Sequence, residues 1–106
     1  MKSKRSKATD ISQKVKKKVW ERDGQRCIFC GSYYAMPNAH YIPRSKGGLG
    51  IEQNIVTACS ECHMKMDNSK YRQAYLELAK EYLRNQYPNW DGMKLTYEKN
   101  TSNRWY

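Results

Sequence analysis

The segment that decides the fold is framed by two cysteine pairs, Cys27–Cys30 (CIFC) and Cys59–Cys62 (CSEC). Two residues separate the thiols of each pair, a spacing that lets both sulfurs reach one ion from a tight turn. Gly31 suits the turn after the first pair. Two such knuckles complete a tetrahedral four-thiolate site. The alternatives are two disulfides, a redox pair or free thiols, and we favour structural zinc bound by Cys27, Cys30, Cys59 and Cys62.

Composition agrees with a domain that needs such a metal. The chain has 106 residues, of which 39% are hydrophobic, so one domain with a modest core is expected. No apolar run is long enough to cross a membrane, and no apolar stretch of a secretory signal follows the first lysines. We therefore expect an intracellular, cytoplasmic protein, and a reducing compartment disfavours disulfides.

Positive charge is concentrated near the N-terminus. The chain has 20 Lys and Arg against 10 Asp and Glu, a net charge of +10, and ten of its cations lie in residues 1–26. Such an excess indicates an anionic partner, of which a nucleic-acid backbone is the leading candidate. Residues 1–10 are predicted to be a flexible basic arm. Lys16 and Lys17 are predicted to add sequence-independent attraction to DNA phosphates.

Helical patterns flank the cysteine frame. Residues 11–23 are predicted to form a short helix that begins with Ser12 as its cap, and a second helical pattern runs from about residue 60 to 68. The clearest helix is predicted at about residues 69–86, with Asn68 or Ser69 as its cap.

That last helix carries an apolar stripe, for which packing on the zinc module is favoured over base stacking. The stripe comprises Tyr71, Ala74, Tyr75, Leu78, Ala79, Tyr82 and Leu83. The predicted domain spans residues 11–87, and residues 88–106 form a polar and aromatic tail of uncertain order.

His40, Asn54 and His63 lie in or beside the cysteine frame, at steps of 14 and 9 residues. Together with Trp20–Gly24, Pro43, Gly47-Gly48 and the two cysteine pairs, their order resembles the zinc-stapled, phage-like members of the HNH endonuclease family. The resemblance implies a bacterial or phage-encoded protein. The resemblance covers just under half of the chain. It implies a small α+β fold, in which a ββα-metal (His-Me finger) motif is stapled by the four-cysteine zinc and flanked by N-terminal and C-terminal helices.

The resemblance also implies roles for these three residues. His40 is assigned as the general base, His63 as a ligand of one catalytic Mg²⁺, Mn²⁺ or Ni²⁺ ion, and Asn54 either as a ligand or as the residue that holds the histidine-bearing loop. A neutral imidazole suits proton transfer near neutral pH. Taken singly, His40 can be a loop or zinc outer-shell histidine, His63 a zinc ligand and Asn54 a turn residue.

One position departs from the family pattern. The residue before the base is often Asp or His and binds the metal, but here it is Ala39. Asp67 is predicted to lie on the same helix face as His63 and to compensate as a tentative ligand. We expect weaker metal binding, and we expect Ala39→Asp to tighten metal activation.

Four arginines and lysines near the motif are candidate DNA contacts. Arg44 and Lys46 follow the base in a loop that is either a phosphate holder or a solvated turn. Arg22 and Arg26 precede the first cysteine pair, and Arg22 can instead pair with Asp23.

The sequence therefore predicts a metal-dependent DNA endonuclease that nicks one strand and leaves a 5′-phosphate and a 3′-hydroxyl. The alternatives are a non-catalytic zinc-stabilised nucleic-acid-binding module and an aromatic-rich interaction protein. DNA is the expected partner of a monomer or weak dimer, with phage packaging or defence proteins as possible further partners and no membrane association.

Overall fold

The computed structural model describes residues 3–97, which form four α-helices around one two-stranded antiparallel sheet. The elements are α1 Lys4–Thr9, α2 Gln13–Arg22, β1 Ala35–His40, β2 Ile55–Cys59, α3 Ser60–Asn68 and α4 Arg72–Gln86, with 3-10 turns at Arg44–Lys46 and Gly92–Lys94. This order confirms the predicted small α+β fold with a ββα core. Within the described residues, no helix is both long and apolar enough to span a membrane.

Helix α2 matches the helix predicted at residues 11–23. The hydroxyl of Ser12 accepts a hydrogen bond from the Val15 N–H at 3.1 Å, which satisfies one of the free donors at the helix start. Val19 is fully buried on its inner face. The chain turns away through Gly24 and Gln25, both with positive φ.

The two strands of the sheet each end in a predicted site residue. Strand β1 pairs with β2 from Ala35 opposite Cys59 to His40 opposite Ile55, and the register shifts between Met36 and Ala39. All five residues of β2 are buried, because α2 and α3 also contact this strand. The predicted base His40 therefore lies at one end of the sheet, and the predicted zinc ligand Cys59 lies at the other.

Helix α4 begins three residues later than predicted and buries a somewhat different face. The Ser69 hydroxyl accepts from the Tyr71 N–H at 3.0 Å in the preceding turn, and the helix itself starts at Arg72 without a side-chain cap. Ala79 and Leu83 are buried, which confirms packing for the middle of the stripe.

The outer part of the stripe is not buried. Tyr71 and Leu78 are 49% and 58% exposed, whereas Leu76, outside the predicted stripe, packs against the core.

The predicted flexible arm at residues 1–10 is wrong for the residues described, because Lys4–Thr9 form helix α1. Ser3 caps this helix, and Thr9 is 3% exposed. Arg5 donates to the carbonyl oxygens of Arg44 and Ser45 at 3.1 and 2.9 Å. The segment docks through hydrogen bonds to the backbone rather than through apolar side chains. Its polar composition therefore did not predict an ordered helix.

The first part of the predicted tail is packed on the domain. Trp90 donates from Nε1 to the Gln53 carbonyl at 2.7 Å, and Leu95 is 2% exposed. A bridge between Gly48 and Thr96 joins this segment to the loop after β1. Residues 98–106 of the predicted tail lie outside the described residues.

Candidate active site

The four cysteine thiols are gathered at one point. Their sulfurs all lie within 4.8 Å of one another, and those of Cys30 and Cys59 are 3.6 Å apart. A tetrahedral zinc with Zn–S bonds of about 2.3 Å requires sulfurs about 3.8 Å apart, so the cluster fits this ion. All four cysteines are free thiols, as metal ligands must be.

Backbone N–H groups prepare the first knuckle for a thiolate. Gly31, with φ of +81°, makes the turn, and its N–H donates to the Cys27 carbonyl at 3.0 Å. Burial raises the pKa of Cys27, but hydrogen bonds from backbone N–H groups outweigh it and bring that pKa to about 7. A four-cysteine structural metal site is therefore present in the fold.

The second knuckle links the metal cluster to helix α3. Cys59 ends β2 and is the N-cap of α3, where its sulfur accepts from the Cys62 N–H at 3.4 Å. His63 and Asp67 follow on that helix, one turn apart. The thiol cluster consequently sets the position of the helix that carries the predicted catalytic metal ligands.

His40, the predicted base, is buried at the end of β1 with 9% of its surface exposed. Its Nε2 lies 2.9 Å from the Thr9 carbonyl oxygen. A carbonyl can only accept, so Nε2 carries the proton and Nδ1 is the nitrogen able to take up another. Burial lowers the pKa of His40; the Thr9 carbonyl opposes this effect, and Arg44 and His63 add to it. The imidazole is therefore neutral at pH 7.

His63 and Asp67 form a close pair on α3. His63 Nε2 lies 3.2 Å from Asp67 Oδ2, with the two side chains 31% and 50% exposed. This is the placement predicted for a compensating carboxylate. Among residues 3–97, only the cysteine cluster brings three or more Cys, His, Asp or Glu side chains within reach of one ion. The site on α3 therefore offers two candidate ligands, His63 and Asp67.

Asn54 is fully buried and holds the loop that follows β1. Its Oδ1 accepts from the Ile42 N–H at 2.8 Å, and its Nδ2 donates to the carbonyls of Ile42 and Leu49 at 3.2 and 2.8 Å. These contacts match the loop-holding role predicted as one alternative. They do not match the metal-ligand role, because the amide is directed into the loop.

Ala39 is fully buried in the hydrophobic core. The expectation that Ala39→Asp restores a metal ligand is therefore not supported by this geometry, because the new carboxylate would enter the core. Ala39 and His40 are consecutive residues in the regular part of β1, so their side chains point to opposite faces of the strand.

Arg22 is a structural residue rather than a DNA contact. Its side chain is 12% exposed and forms a two-bond pair with Asp23, at 2.7 and 3.2 Å. It also donates to the carbonyls of Glu52 and Ile55, both at 2.7 Å. Its guanidinium therefore binds groups within the domain. This agrees with the alternative prediction that Arg22 pairs with Asp23. Arg26 is exposed and lies over the Tyr33 ring.

His40, His63 and Asp67 line one cavity of about 770 Å³. Four cations line it as well, namely Lys16, Arg44, Lys46 and Arg72. Three of these were predicted DNA contacts, whereas Lys17 and Arg26 do not line it. Arg44 is paired with Asp10 at 2.5 Å.

Asn38 and Arg72 are among the residues of this cavity that sequence reasoning missed. Asn38 lies two residues before His40, and the alternation of side chains along a strand was a signal for placing it beside the base. Arg72 lies at the start of α4, and no local pattern signals that this helix end meets the loop after β1.

A ββα core stapled by four thiols, with histidines from β1 and α3 in one cavity, defines the class of protein. The HNH endonuclease family model matches residues 27–69, and the chain belongs to the HNH endonuclease family. Anaredoxin from Nostoc sp. (strain PCC 7120 / SAG 25.82 / UTEX 2576) is 35% identical over 54 residues, which cover 50% of this chain and 71% of that protein. No solved structure matches. Family membership indicates a metal-binding nuclease domain that interacts with nucleic acid.

Proposed function

We propose that this protein is a metal-dependent DNA endonuclease that nicks one strand by hydrolysis, with His40 as the general base. The observation that carries the proposal is the meeting of His40, His63 and Asp67 in one cation-lined cavity. A buried neutral imidazole beside candidate metal ligands and phosphate-binding cations is the set of groups that phosphodiester hydrolysis requires.

His40 supplies the base. Its Nδ1 takes a proton from water as the water oxygen attacks phosphorus, while Nε2–H stays hydrogen-bonded to the Thr9 carbonyl. This contact fixes the tautomer of His40. When Nδ1 takes up the proton, the carbonyl still accepts the hydrogen bond from Nε2–H and so stabilises the imidazolium. Thr9 is thus a positioning residue that acts through His40.

His63 and Asp67 are the residues that would hold the catalytic divalent ion. Two protein ligands suffice for a hard ion such as Mg²⁺, which usually keeps several waters. When bound, the ion stabilises negative charge on the phosphate and the leaving 3′-oxygen. With Ala39 in place of a family ligand, we expect activation to need more metal than in relatives that have a third ligand.

Arg44, Lys46 and Lys16 would hold the substrate backbone. Their place around the cavity suits contacts to phosphates flanking the scissile bond, which position DNA without reading its sequence. One such site cuts one strand, so a monomer should nick, and the products should carry a 5′-phosphate and a 3′-hydroxyl.

The test is a supercoiled-plasmid assay with Mg²⁺, Mn²⁺ or Ni²⁺, run on wild type, His40→Ala and His63→Ala. We expect wild type to produce open circles that DNA ligase reseals, and each variant to lose at least 100-fold in rate, since removal of a general base alone costs about 10²–10⁴-fold. Leu78→Ala, a change at an exposed residue that does not line this cavity, is the matched control for fold and activity.

Two results would count against the proposal. Nicking that survives His40→Ala would remove the assigned base. Salt-sensitive DNA binding without nicking in any of the three metals would favour the non-catalytic binding module instead.

A further inference from the structure

A second cavity, of about 430 Å³, adjoins the candidate active site. The two cavities share Pro43, Lys46 and Arg72 in their walls, so the surface between them is continuous. On the far side the second cavity is bounded by the turn from Trp90 to Met93. It therefore extends from the predicted site of cleavage along one side of α4.

Arg72, Leu76 and Lys80 of α4 line this cavity. They are four residues apart, so they form a row on one helix face, with Arg72 and Lys80 about 12 Å apart along the axis at 1.5 Å per residue. Projected on the axis of a duplex, that length corresponds to about three to four base-pair steps. Lys46, from the 3-10 turn Arg44–Lys46, also lines this cavity, so cations reach it from two elements.

Among the described residues, these three cations have no carboxylate partner. Within residues 3–97, neither Lys46, Arg72 nor Lys80 forms an ion pair, whereas Arg84 on the same helix lies 3.9 Å from Glu81. The acid in the cavity wall, Asp91, accepts from the Met93 N–H at 2.9 Å and caps its own turn. The cavity is therefore positively charged on balance.

Aromatic and apolar side chains form the rest of the wall. Tyr41 and Trp90 pack edge to face with ring centroids 5.8 Å apart, and Trp90 is anchored by its hydrogen bond to Gln53. A rigid apolar surface between cations suits the sugars of a nucleic-acid backbone, whose phosphates the cations would bind.

We propose that this surface, which we call the α4 groove, holds the DNA backbone next to the scissile phosphate, with Arg72 and Lys80 each binding a phosphate. The inference rests on the proposed function, because the candidate active site, which Arg72 also lines, is what places the scissile phosphate at this end of the groove. Charge complementarity makes DNA the favoured occupant, and an acidic protein segment is the rival.

The test measures binding of a fluorescent 24-base-pair duplex by anisotropy, without divalent metal, over a range of salt concentrations. The groove double variant Arg72→Gln/Lys80→Gln is compared with the control Arg84→Gln/Lys70→Gln, which removes the same charge from the α4 region outside both cavities. If each lost contact lowers the salt slope by about 0.9, the groove variant should bind roughly eightfold more weakly per contact at 0.1 M salt. The charge-conserving Arg72→Lys/Lys80→Arg should retain most of the affinity.

Equal losses in groove and control variants would overturn the inference, because net charge alone would then explain them. Unchanged binding in the groove variant would also overturn it and would favour an acidic protein segment as the occupant. Plasmid nicking is measured separately: a wild type that binds through the groove but never nicks would refute the proposed function and leave the groove inference standing.

Discussion

Gly50→Ala tests whether the N-terminal segment positions the base, without changing any charge or any residue of the proposed chemistry. A Cβ at Gly50 would lie 2.0 Å from the Asp10 carbonyl oxygen and 3.0 Å from that of Thr9. No positive φ is needed there, so alanine strains nothing by its own conformation. The Thr9–Asp10 backbone must therefore move away from its present position.

The size of that movement sets the expected effect. Cβ atoms essentially never approach a neighbour closer than 3.0 Å, so the segment must withdraw by about 1 Å. Withdrawal by that amount takes the Thr9 oxygen, now 2.9 Å from His40 Nε2, beyond hydrogen-bond reach. Misplacement by about 1 Å can reduce a rate about 100-fold. We expect kcat to fall about 10- to 100-fold, with KM within twofold of wild type.

The assay is steady-state nicking of a labelled plasmid, with zinc content and circular dichroism as folding controls. Ala74→Ser is the control, because it is an equally small change at an exposed residue that lines neither cavity. Nitrogen-15 NMR of His40 gives a second readout: wild type should hold the proton on Nε2, and the variant should populate both tautomers. A Gly50→Ala enzyme with wild-type kcat and zinc content would refute the positioning role of Thr9.

Three further predictions follow from the site. Asn38→Asp should lower the metal concentration needed for nicking, because it adds a carboxylate to the cavity, and a metal titration checks this. Ala39→Asp should instead destabilise the domain by several kcal/mol, which thermal melting measures. Tighter metal activation in Ala39→Asp and destabilisation in Asn38→Asp would contradict the β1 geometry. Asp23→Ala should cost about 3–5 kcal/mol in urea unfolding, because it leaves Arg22 buried without its partner; a loss below 1 kcal/mol would not fit. Because burial lowers the pKa of His40 below 6.5, kcat/KM should rise with pH with a midpoint below 6.5 and level off at higher pH, and Arg44→Gln should move the midpoint upward. A wild-type midpoint above 6.5 would contradict this.

The parts of the fold predicted from sequence were those that local spacing determines. The cysteine pairs predicted the thiol cluster, Ser12 predicted the start of α2, and the HNH motif predicted the ββα order. Each depends on residues a few positions apart, or on a pattern whose members must meet to bind one ion.

The misses involved partners distant in the chain. Thr9 meets His40 across 31 residues, and Arg22 reaches the carbonyls of Glu52 and Ile55 in the region of β2. Composition cannot distinguish a polar helix that docks on backbone carbonyls from a solvated arm. Nor can it distinguish an arginine enclosed by such carbonyls from one that faces DNA.

Cys59 ends the strand, caps α3 and belongs to the thiol cluster, so it links two sites with different tasks. If zinc leaves, α3 loses the anchor at its first turn, and His63 loses its fixed direction toward the cavity. We therefore expect the specific activity of a preparation to report its zinc loading. Oxidants that attack thiolates would silence such an enzyme without touching either histidine.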